Sequence, residues 1–440
     1  MPKNLPMSAI TRLPRWLHAL STLGRARGTG ARMVGWISAG LVLALIGTAM
    51  AFGIGAAGSA ARTADSGAWL ASSQRGALVH VNGSSGQVDG RVTLPGQVRG
   101  PLEVTQEGDT ILVLDRATGV LTRIDPAQLM VAGSQQFPGA PLRLVAHEDQ
   151  AWLVDEAAGT VQRIDPVTLA PAAPPIDLGQ RPLGAARVDD AGVLWVLLPQ
   201  RAEAVPVQDD APGERVKVGE AGNALRLTTA AGRTAVIDLR AGTLAVLSAE
   251  GQGMTVRLPA ALLRADPGKA LVPEGSSGPL LPILAPDTAT LVVANVESGV
   301  VQAAELDMAR AGSYGAPQAQ GSRVYIPDQS SGQVLVYDTA TAKFIQPIRV
   351  TGVPGRLEVH SIGERVWIND ERNATAAVVD EEGTVHLIDK YDTDVPAGQS
   401  PAPSTSPQSP PPGDPGPSPG GEPTDPDDQR PGTQSPDAPT

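Results

Sequence analysis

Three arginines with similar local sequences are the residues of this chain best suited to bind a charged ligand. Arg143, Arg226 and Arg356 lie in the segments PLRL, ALRL and PGRL, and His147 and His360 follow the first and third arginine at the same spacing. A guanidinium group pairs with a carboxylate or phosphate through two parallel hydrogen bonds. If the fold gathers these segments around one axis, they form a mouth that binds an anionic group.

The other polar residues at a repeated position are aspartates that begin turns. Asp155, Asp238, Asp328 and Asp370 each follow an apolar run. A carboxylate at the start of a turn accepts backbone N–H groups, so a turn explains these residues without a ligand. The arginines also have a structural interpretation, because their stems can cover neighbouring apolar surface. The sequence leaves both interpretations open, and aspartates near the arginines would neutralise them.

Motifs for catalysis or metal binding are absent from the sequence. It contains no cysteine and no HExxH, GxSxG, phosphate-loop or EF-hand pattern. His80 and His386 lie in strand-like runs without the converging partners that a catalytic site requires. We therefore predict no metal site and no cofactor, and a binding role ahead of an enzymatic one.

The candidate residues lie within a repeated unit, of which AWLVDEAAGTVQRIDP, beginning at Ala151, is the clearest copy. An apolar run leads through a turn closed by Gly159 to a second alternating run, which is typical of a β-hairpin. Most copies follow one another after 40 to 43 residues, with spacings of 57 before the sixth and 33 before the seventh. The eight copies begin at Ala68, Ile111, Ala151, Leu194, Thr234, Leu291, Val324 and Val366.

A period of 40 to 45 residues with strands and no helical pattern is the period of a β-propeller with four strands per blade. The sequence therefore predicts an all-β, eight-bladed propeller over residues 66–395, or seven blades if the sixth copy is not a true blade. Residues 258–285 are predicted to form an inserted loop, and PLRLVAH from Pro141 the innermost strand of its blade. One large residue per unit is predicted to be buried between blades, at Trp69, Leu112, Trp152, Trp195, Ala235, Val292, Tyr325 and Trp367.

This blade pattern, a hydrophobic pair, Asp, a turn, Gly, Val and Ile-Asp-Pro, resembles the bacterial propellers of the lactonase, streptogramin-lyase and quinoprotein-like superfamily. The resemblance covers about residues 66–390 and implies the fold, because these families share the blade and differ in activity. The layout is also similar to that of bacterial single-anchor proteins in which a propeller precedes a Pro-rich linker and a fibronectin type III module.

The two ends of the chain differ from its centre in composition. Residues 1–32 carry six basic residues and no acidic one, and residues 33–61 carry no charge, which predicts a cytoplasmic segment followed by a transmembrane signal anchor. A signal peptide cleaved after Ser59-Ala60-Ala61 is the alternative. About a third of residues 396–440 are proline, which predicts a disordered tail.

The charge and the predicted topology limit the function. The net charge is −12, so the chain beyond residue 32 carries −18 and has no electrostatic reason to bind nucleic acid. We predict a membrane-anchored, extracytoplasmic binding or assembly module whose partner is an envelope protein or a cell-wall polymer. The alternatives are a lactonase- or lyase-type enzyme and an architectural spacer. Converging His and carboxylate residues would favour the enzyme, and an apolar patch on a blade would favour a partner protein.

Overall fold

The computed structural model describes residues 67–139, 141–248, 251–307 and 313–391. These residues form eight β-sheets that follow one another along the chain, and within each sheet most consecutive strands are neighbours. The innermost strands of successive sheets contact one another, and the last sheet packs on the first. This arrangement confirms the predicted propeller and its eight blades.

The first four blades cover residues 67–217. Blade 1 contains β1 (Gly67–Ser72), β2 (Ala77–Asn82) and β3 (Val88–Thr93), and blade 2 contains β4 (Leu102–Glu107), β5 (Thr110–Asp115), β6 (Val120–Asp125) and β7 (Met130–Gln136). Blade 3 contains β8 (Arg143–His147), β9 (Gln150–Asp155), β10 (Thr160–Ile164) and β11 (Ile176–Asp177). Blade 4 contains β12 (Ala186–Val188), β13 (Leu194–Leu198), β14 (Glu203–Gln208), β15 (Ala211–Pro212) and β16 (Val216–Lys217).

The last four blades cover residues 225–389, and the short helix α1 (Ala260–Leu263) lies between two of them. Blade 5 contains β17 (Leu225–Ala230), β18 (Arg233–Asp238), β19 (Thr243–Ser248) and β20 (Gly251–Arg257). The strand β21 (Gly275–Ser276) precedes blade 6, which contains β22 (Leu280–Ala285), β23 (Thr290–Asn295) and β24 (Val301–Glu305). Blade 7 contains β25 (Gln318–Gln320), β26 (Arg323–Asp328), β27 (Gln333–Asp338) and β28 (Lys343–Arg349), and blade 8 contains β29 (Glu358–Ile362), β30 (Arg365–Asn369), β31 (Thr375–Val379) and β32 (Val385–Asp389).

Blade 3 has the predicted strand order, with β8 innermost and β11 outermost. The turn between β9 and β10 depends on both predicted residues. Asp155 accepts the backbone N–H of Ala158 on its carboxylate and that of Gly159 on its carbonyl. Gly159 has φ +77°, and a Cβ there would lie 2.3 Å from the carbonyl oxygen of Gln180. Only glycine closes this turn without strain.

Tryptophans at the repeated position lie between blades, as predicted. Trp152 is fully buried and packs against Ala186, Leu194 and Val196 of blade 4. Trp195 and Trp367 are equally buried, each against the blade that follows its own. The blades are therefore held together by apolar contacts between their faces, while hydrogen bonds hold each sheet.

The sixth repeat was placed one strand too late by the sequence pattern. The turn from Asn295 to Gly299 joins β23 to β24. In blade 3 the corresponding turn, after Asp165, joins the third strand to the fourth, so β23 and β24 are the third and fourth strands of blade 6. The copy therefore begins near Leu281 rather than Leu291, and Val292 lies on the third strand. From Leu281 the spacings become 47 and 43 residues. The predicted inserted loop is correspondingly shorter, because residues 280–285 form β22.

Blade 1 has three strands among the described residues, and side chains bind the inner edge of β1. Gln106 of blade 2 donates to the carbonyl of Gly67 and accepts the N–H of Trp69. Asn369 and Lys390 both donate to the carbonyl of Ala71. These side chains satisfy backbone groups at the edge where the other blades place their innermost strand.

The predicted cytoplasmic segment, transmembrane anchor and Pro-rich tail lie outside the described residues. Within the described ranges no helix is long and apolar enough to cross a membrane.

Candidate binding site at the channel mouth

One position on the innermost strands carries a charged residue in several blades and faces the mouth of the central channel. It follows a buried leucine each time. Arg143 pairs with Val154 of the second strand, and Arg226 pairs with Ile237 in the same way. The equivalent residues are Glu103 in blade 2 and Glu358 in blade 8. The predicted equivalence of Arg143 and Arg226 is therefore confirmed, but two of the four charged residues named at this position are acidic.

The predicted equivalence of Arg356 is wrong. The buried residue Leu357 corresponds to Leu142, so Glu358 takes the place of Arg143 and Arg356 lies two residues earlier. Aligning Arg356-Leu357 with Arg143-Leu144 shifted the register by two residues. Side chains two residues apart lie on the same face of a strand, so the pattern of apolar residues did not reveal the shift.

His147 and His360 are also not equivalent. His360 pairs with Trp367, whereas Val145 holds that position in blade 3 and His147 pairs with Gln150.

Arg143 and a second arginine, Arg187, share one carboxylate. Arg143 donates from Nε to Glu156 at 2.5 Å, and its Nη1 lies 3.4 Å from Oε1 of Glu274. The Nη2 of Arg187 lies 3.4 Å from the same oxygen, and its Nε donates to the backbone carbonyl of Glu274 at 2.7 Å. Two guanidinium groups from neighbouring blades therefore converge on a single carboxylate. Arg187 was not predicted, because it lies outside the Leu-Arg-Leu context of Arg143 and Arg226.

Glu274 reaches the mouth from the segment inserted between blades 5 and 6. The next residue, Gly275, begins β21, which pairs in parallel with β17 of blade 5. The carbonyl of Glu274 also accepts the N–H of Thr229, so the backbone is fixed while the side chain remains 70% exposed. The charge of Arg187, followed by those of Arg143 and His360, lowers the pKa of Glu274. The carboxylate is thus ionised at neutral pH.

Glu103 is the residue of the mouth that titrates near neutrality. Burial, followed by the charge of Glu274, raises its pKa to about 7. Arg116 and Arg143 oppose this shift, and the Nε of Arg116 lies 3.8 Å from Oε2 of Glu103. The charge of the mouth therefore changes within the physiological pH range.

The exposed basic side chains of the mouth belong to blade 8. The side chains of Arg356 and His360 are 58% and 61% exposed. Arg356 Nε lies 3.3 Å from one oxygen of Glu358, and His360 Nε2 lies 3.9 Å from the other. Burial raises the pKa of Glu358, but the nearby His360 and Arg356 lower it overall. The side chains of Arg356 and His360 keep most of their surface open to solvent.

The remaining two predicted residues lie apart from this carboxylate. Arg226 donates to the backbone carbonyls of Leu225 and Pro267. His147 lies near Glu107. Burial raises the pKa of Glu107, and the charge of His147 offsets only part of this increase. The structure thus brings Arg143, Arg187 and His360 around Glu274. Arg226 lies near the start of β17, as Arg143 does in β8, whereas His147 lies at the opposite end of β8 and is not part of this cluster.

The turn aspartates perform the predicted structural role. Each accepts a backbone N–H on its Oδ1 atom, from Ala158, Ala241, Ser330 and Arg372 for Asp155, Asp238, Asp328 and Asp370. The arginines of the mouth are instead paired with glutamates. The repeat pattern does not indicate this pairing, because Glu156, Glu274 and Glu358 have no common position in the repeat.

The described residues contain no group of three His, Asp or Glu side chains placed to hold a metal ion. His80 is buried beside Asp89, with Nδ1 2.5 Å from its Oδ1, and His386 lies 3.1 Å from Asp380. Each of these histidines has one carboxylate partner, which fits a structural role.

Comparisons with known proteins bear on the fold. No protein-family model and no curated protein matches the sequence. The dihydro-heme d1 dehydrogenase NirN, solved in complex with DHE, has a TM-score of 0.53 at 13% identity over 73% of each chain. A streptogramin B lyase has 0.51 at 10% identity, over 67% of this chain and 95% of the lyase. Virginiamycin B lyase from Staphylococcus aureus has 0.50 at 12% identity, over 63% and 93%.

At these identities the likeness extends to the fold and not to the chemistry. With eight consecutive blades in the structure and these neighbours among solved structures, the chain has the fold of an eight-bladed β-propeller.

Proposed function

We propose that this chain is a membrane-anchored, extracytoplasmic binding module and that its channel mouth receives the anionic group of a ligand. The observation that carries the proposal is the Oε1 atom of Glu274, which lies 3.4 Å from guanidinium nitrogens of both Arg143 and Arg187. An internal carboxylate occupies the position that the carboxylate or phosphate of a ligand would take.

A ligand displaces the Glu274 side chain rather than filling an empty site. That side chain is 70% exposed, so water can solvate its carboxylate once it leaves the two arginines. Arg356 and His360 lie at the same mouth with most of their surface free, and they supply further donors to the ligand. Arg226 flanks this set from the start of β17, whereas His147, at the opposite end of β8, is left out of it. The anionic group that binds these arginines can belong to a small molecule, or it can be a carboxylate or phosphate on an envelope protein or on a cell-wall polymer.

The test is a calorimetric screen of carboxylates and phosphates against the wild type and a variant carrying Arg143→Ala and Arg187→Ala. We expect the double variant to lose at least about tenfold in affinity, or about 1.4 kcal/mol, for any anion that the wild type binds. Arg257→Ala is the matched control, because Arg257 is an exposed arginine on the outermost strand of blade 5. Equal affinities of the double variant and the wild type would contradict the site.

The location rests on the sequence alone. Six basic residues in the first 32, followed by the uncharged residues 33–61, support an anchor with its N-terminus in the cytoplasm. A reporter fused after Tyr391 is expected to be active only outside the cytoplasm. Cytoplasmic activity, or a mature protein that begins near Arg62, would contradict the proposed topology.

A lactonase or lyase activity is not proposed, because no observation in residues 67–391 favours it. If the screen finds no anion that binds at the mouth, the remaining interpretation is an architectural spacer without a ligand.

A further inference from the structure

Large exposed apolar residues are concentrated on the outermost strands of blades 7 and 8. The described residues include eight such side chains. Four of them, Phe344, Ile345, Val385 and Leu387, lie on β28 and β32. This surface lies at the rim of the propeller and is separate from the channel mouth.

The two strands border a groove of about 400 Å³ between blades 7 and 8. Ile345 and Pro347 line one side, Val385 and Leu387 line the other, and Tyr325 contributes from the second strand of blade 7. This volume lies within the range of about 300–1,000 Å³ that is typical of ligand clefts. Val385 and Leu387 are two residues apart on one strand, so their side chains point the same way, about 7 Å apart, the side-chain repeat of an extended peptide.

Other outermost strands do not present such a surface. In blade 2 the exposed residues of β7 are Ala132, Ser134 and Gln136. In blade 5 the exposed residues of β20 are Gln252, Gly253, Thr255 and Arg257. The apolar groove is therefore not a general consequence of the blade repeat. Clustered exposed apolar side chains of this kind mark interaction sites.

The groove is basic as well as apolar. Arg323 and Arg349 line it, and none of its lining residues carries a carboxylate. Asp380 lies close enough to act on Tyr325 at the edge of the groove. The whole chain has a net charge of −12, so Arg323 and Arg349 are local positive charges in an acidic protein. Charge complementarity therefore specifies an occupant that combines apolar side chains with negative charge.

We infer that this groove docks an extended segment of a partner protein that carries large apolar side chains at alternate positions and at least one carboxylate. Apolar side chains fill the space between Ile345 and Leu387, and the carboxylate pairs with Arg349 or Arg323. The inference goes beyond the proposed function, because it concerns a different surface and a different class of partner.

The test measures fluorescence anisotropy of labelled heptapeptides with the full-length chain in lipid nanodiscs. The probe has leucine at alternate positions and glutamate between them, and two control peptides replace glutamate by lysine or leucine by serine. We expect the probe to bind at least about tenfold more tightly than either control peptide.

Two variants test whether the probe peptide binds in this groove. Leu387→Asp and Arg349→Glu are each expected to weaken the probe by at least about tenfold. Val167→Asp and Arg257→Glu are the matched controls and are expected to bind as the wild type does. Val167 is 62% exposed and Leu387 59%, and Arg257 ends β20 as Arg349 ends β28.

Three outcomes overturn the inference. The first is no saturable binding of the probe up to about 1 mM, the weak end of specific affinities. The second is equal binding of the glutamate and lysine peptides, or unchanged binding by Leu387→Asp. The third is a wild-type dimer in light scattering that Leu387→Asp dissociates, which would make a second copy of the chain the occupant.

Discussion

Lys390 is buried where blade 8 meets blade 1, at a position that is apolar in other blades. Its backbone N–H binds the turn carbonyl of Ala374, as the N–H groups of Leu178 and Leu258 bind Gly159 and Gly242. The side chain has no exposed surface. Its Nζ donates to Asn369 Oδ1 and to the carbonyl of Asp370, both at 2.8 Å, and to that of Ala71 at 3.3 Å. A charged group thus replaces an apolar one at the junction that closes the ring.

Burial determines the energetic consequence for Lys390. It lowers the pKa from 10.5 to about 8, although Asp370 and Glu371 oppose the shift. One pH unit corresponds to about 1.4 kcal/mol, so the charged amine destabilises the fold by about 3 kcal/mol relative to the neutral amine. This cost is complete below pH 8, where the folded and unfolded states are both protonated. Between pH 8 and 10.5 the unfolded state binds more protons, so stability rises with pH.

Urea denaturation at pH 7.5 and 9.5 measures this effect. For pKa values of about 8 and 10.5, the wild type should gain about 2 kcal/mol of stability over this range relative to Lys390→Met, which lacks the titrating amine. The range ends at pH 9.5 because burial also raises the pKa of Tyr325 and Tyr337, which would lower stability at higher pH. Parallel pH dependence of the two proteins would refute the description of Lys390 as a buried charged amine.

Two further predictions concern the core and the mouth. Trp152→Ala should lower the free energy of unfolding by about 3–5 kcal/mol, because Trp152 fills the space between blades 3 and 4, whereas Val167→Ala at an exposed site should change it by less than about 0.5 kcal/mol. A loss below about 1 kcal/mol for Trp152→Ala in urea denaturation would contradict its packing. Anion affinity at the mouth should rise as the pH falls from 8 to 6, because Glu103, with a pKa of about 7, becomes neutral and stops repelling the ligand. In calorimetry Glu103→Gln should bind the anion more tightly than the wild type at pH 8 and lose this part of the pH dependence. If its affinity changes with pH as that of the wild type does, Glu103 does not control anion binding.

The fold followed from the sequence because each hairpin carries its own turn residues and its own large buried residue. The turn from Asp155 to Gly159 and the burial of Trp152 are local properties, and they recur at a nearly constant spacing. The sixth blade was misplaced because it has Ala289 where most blades have the turn glycine and Pro282 where other blades carry the large residue. In blade 6 the sequence of β23 and β24 therefore resembles the repeated hairpin more closely than the sequence of β22 and β23 does.

The chemistry of the mouth followed from the sequence only in part. Arg143 and Arg226 share a repeat position, but their partners come from segments with no counterpart in the other blades. Glu274 lies in the insertion, and only the parallel pairing of β21 with β17 brings it to the channel. Lys390 was equally hidden, since a lysine after the last strand is typical of an exposed surface.

In the proposed site, Glu274 is an internal stand-in for the anionic group of a ligand. Calorimetric titration of the tightest anion from the screen into wild type and Glu274→Gln tests that role directly. The variant keeps the shape of the side chain and removes the charge that competes for Arg143 and Arg187. We predict that Glu274→Gln binds the anion at least about tenfold more tightly than the wild type. Unchanged or weaker binding by a Glu274→Gln protein that melts like the wild type would contradict the account.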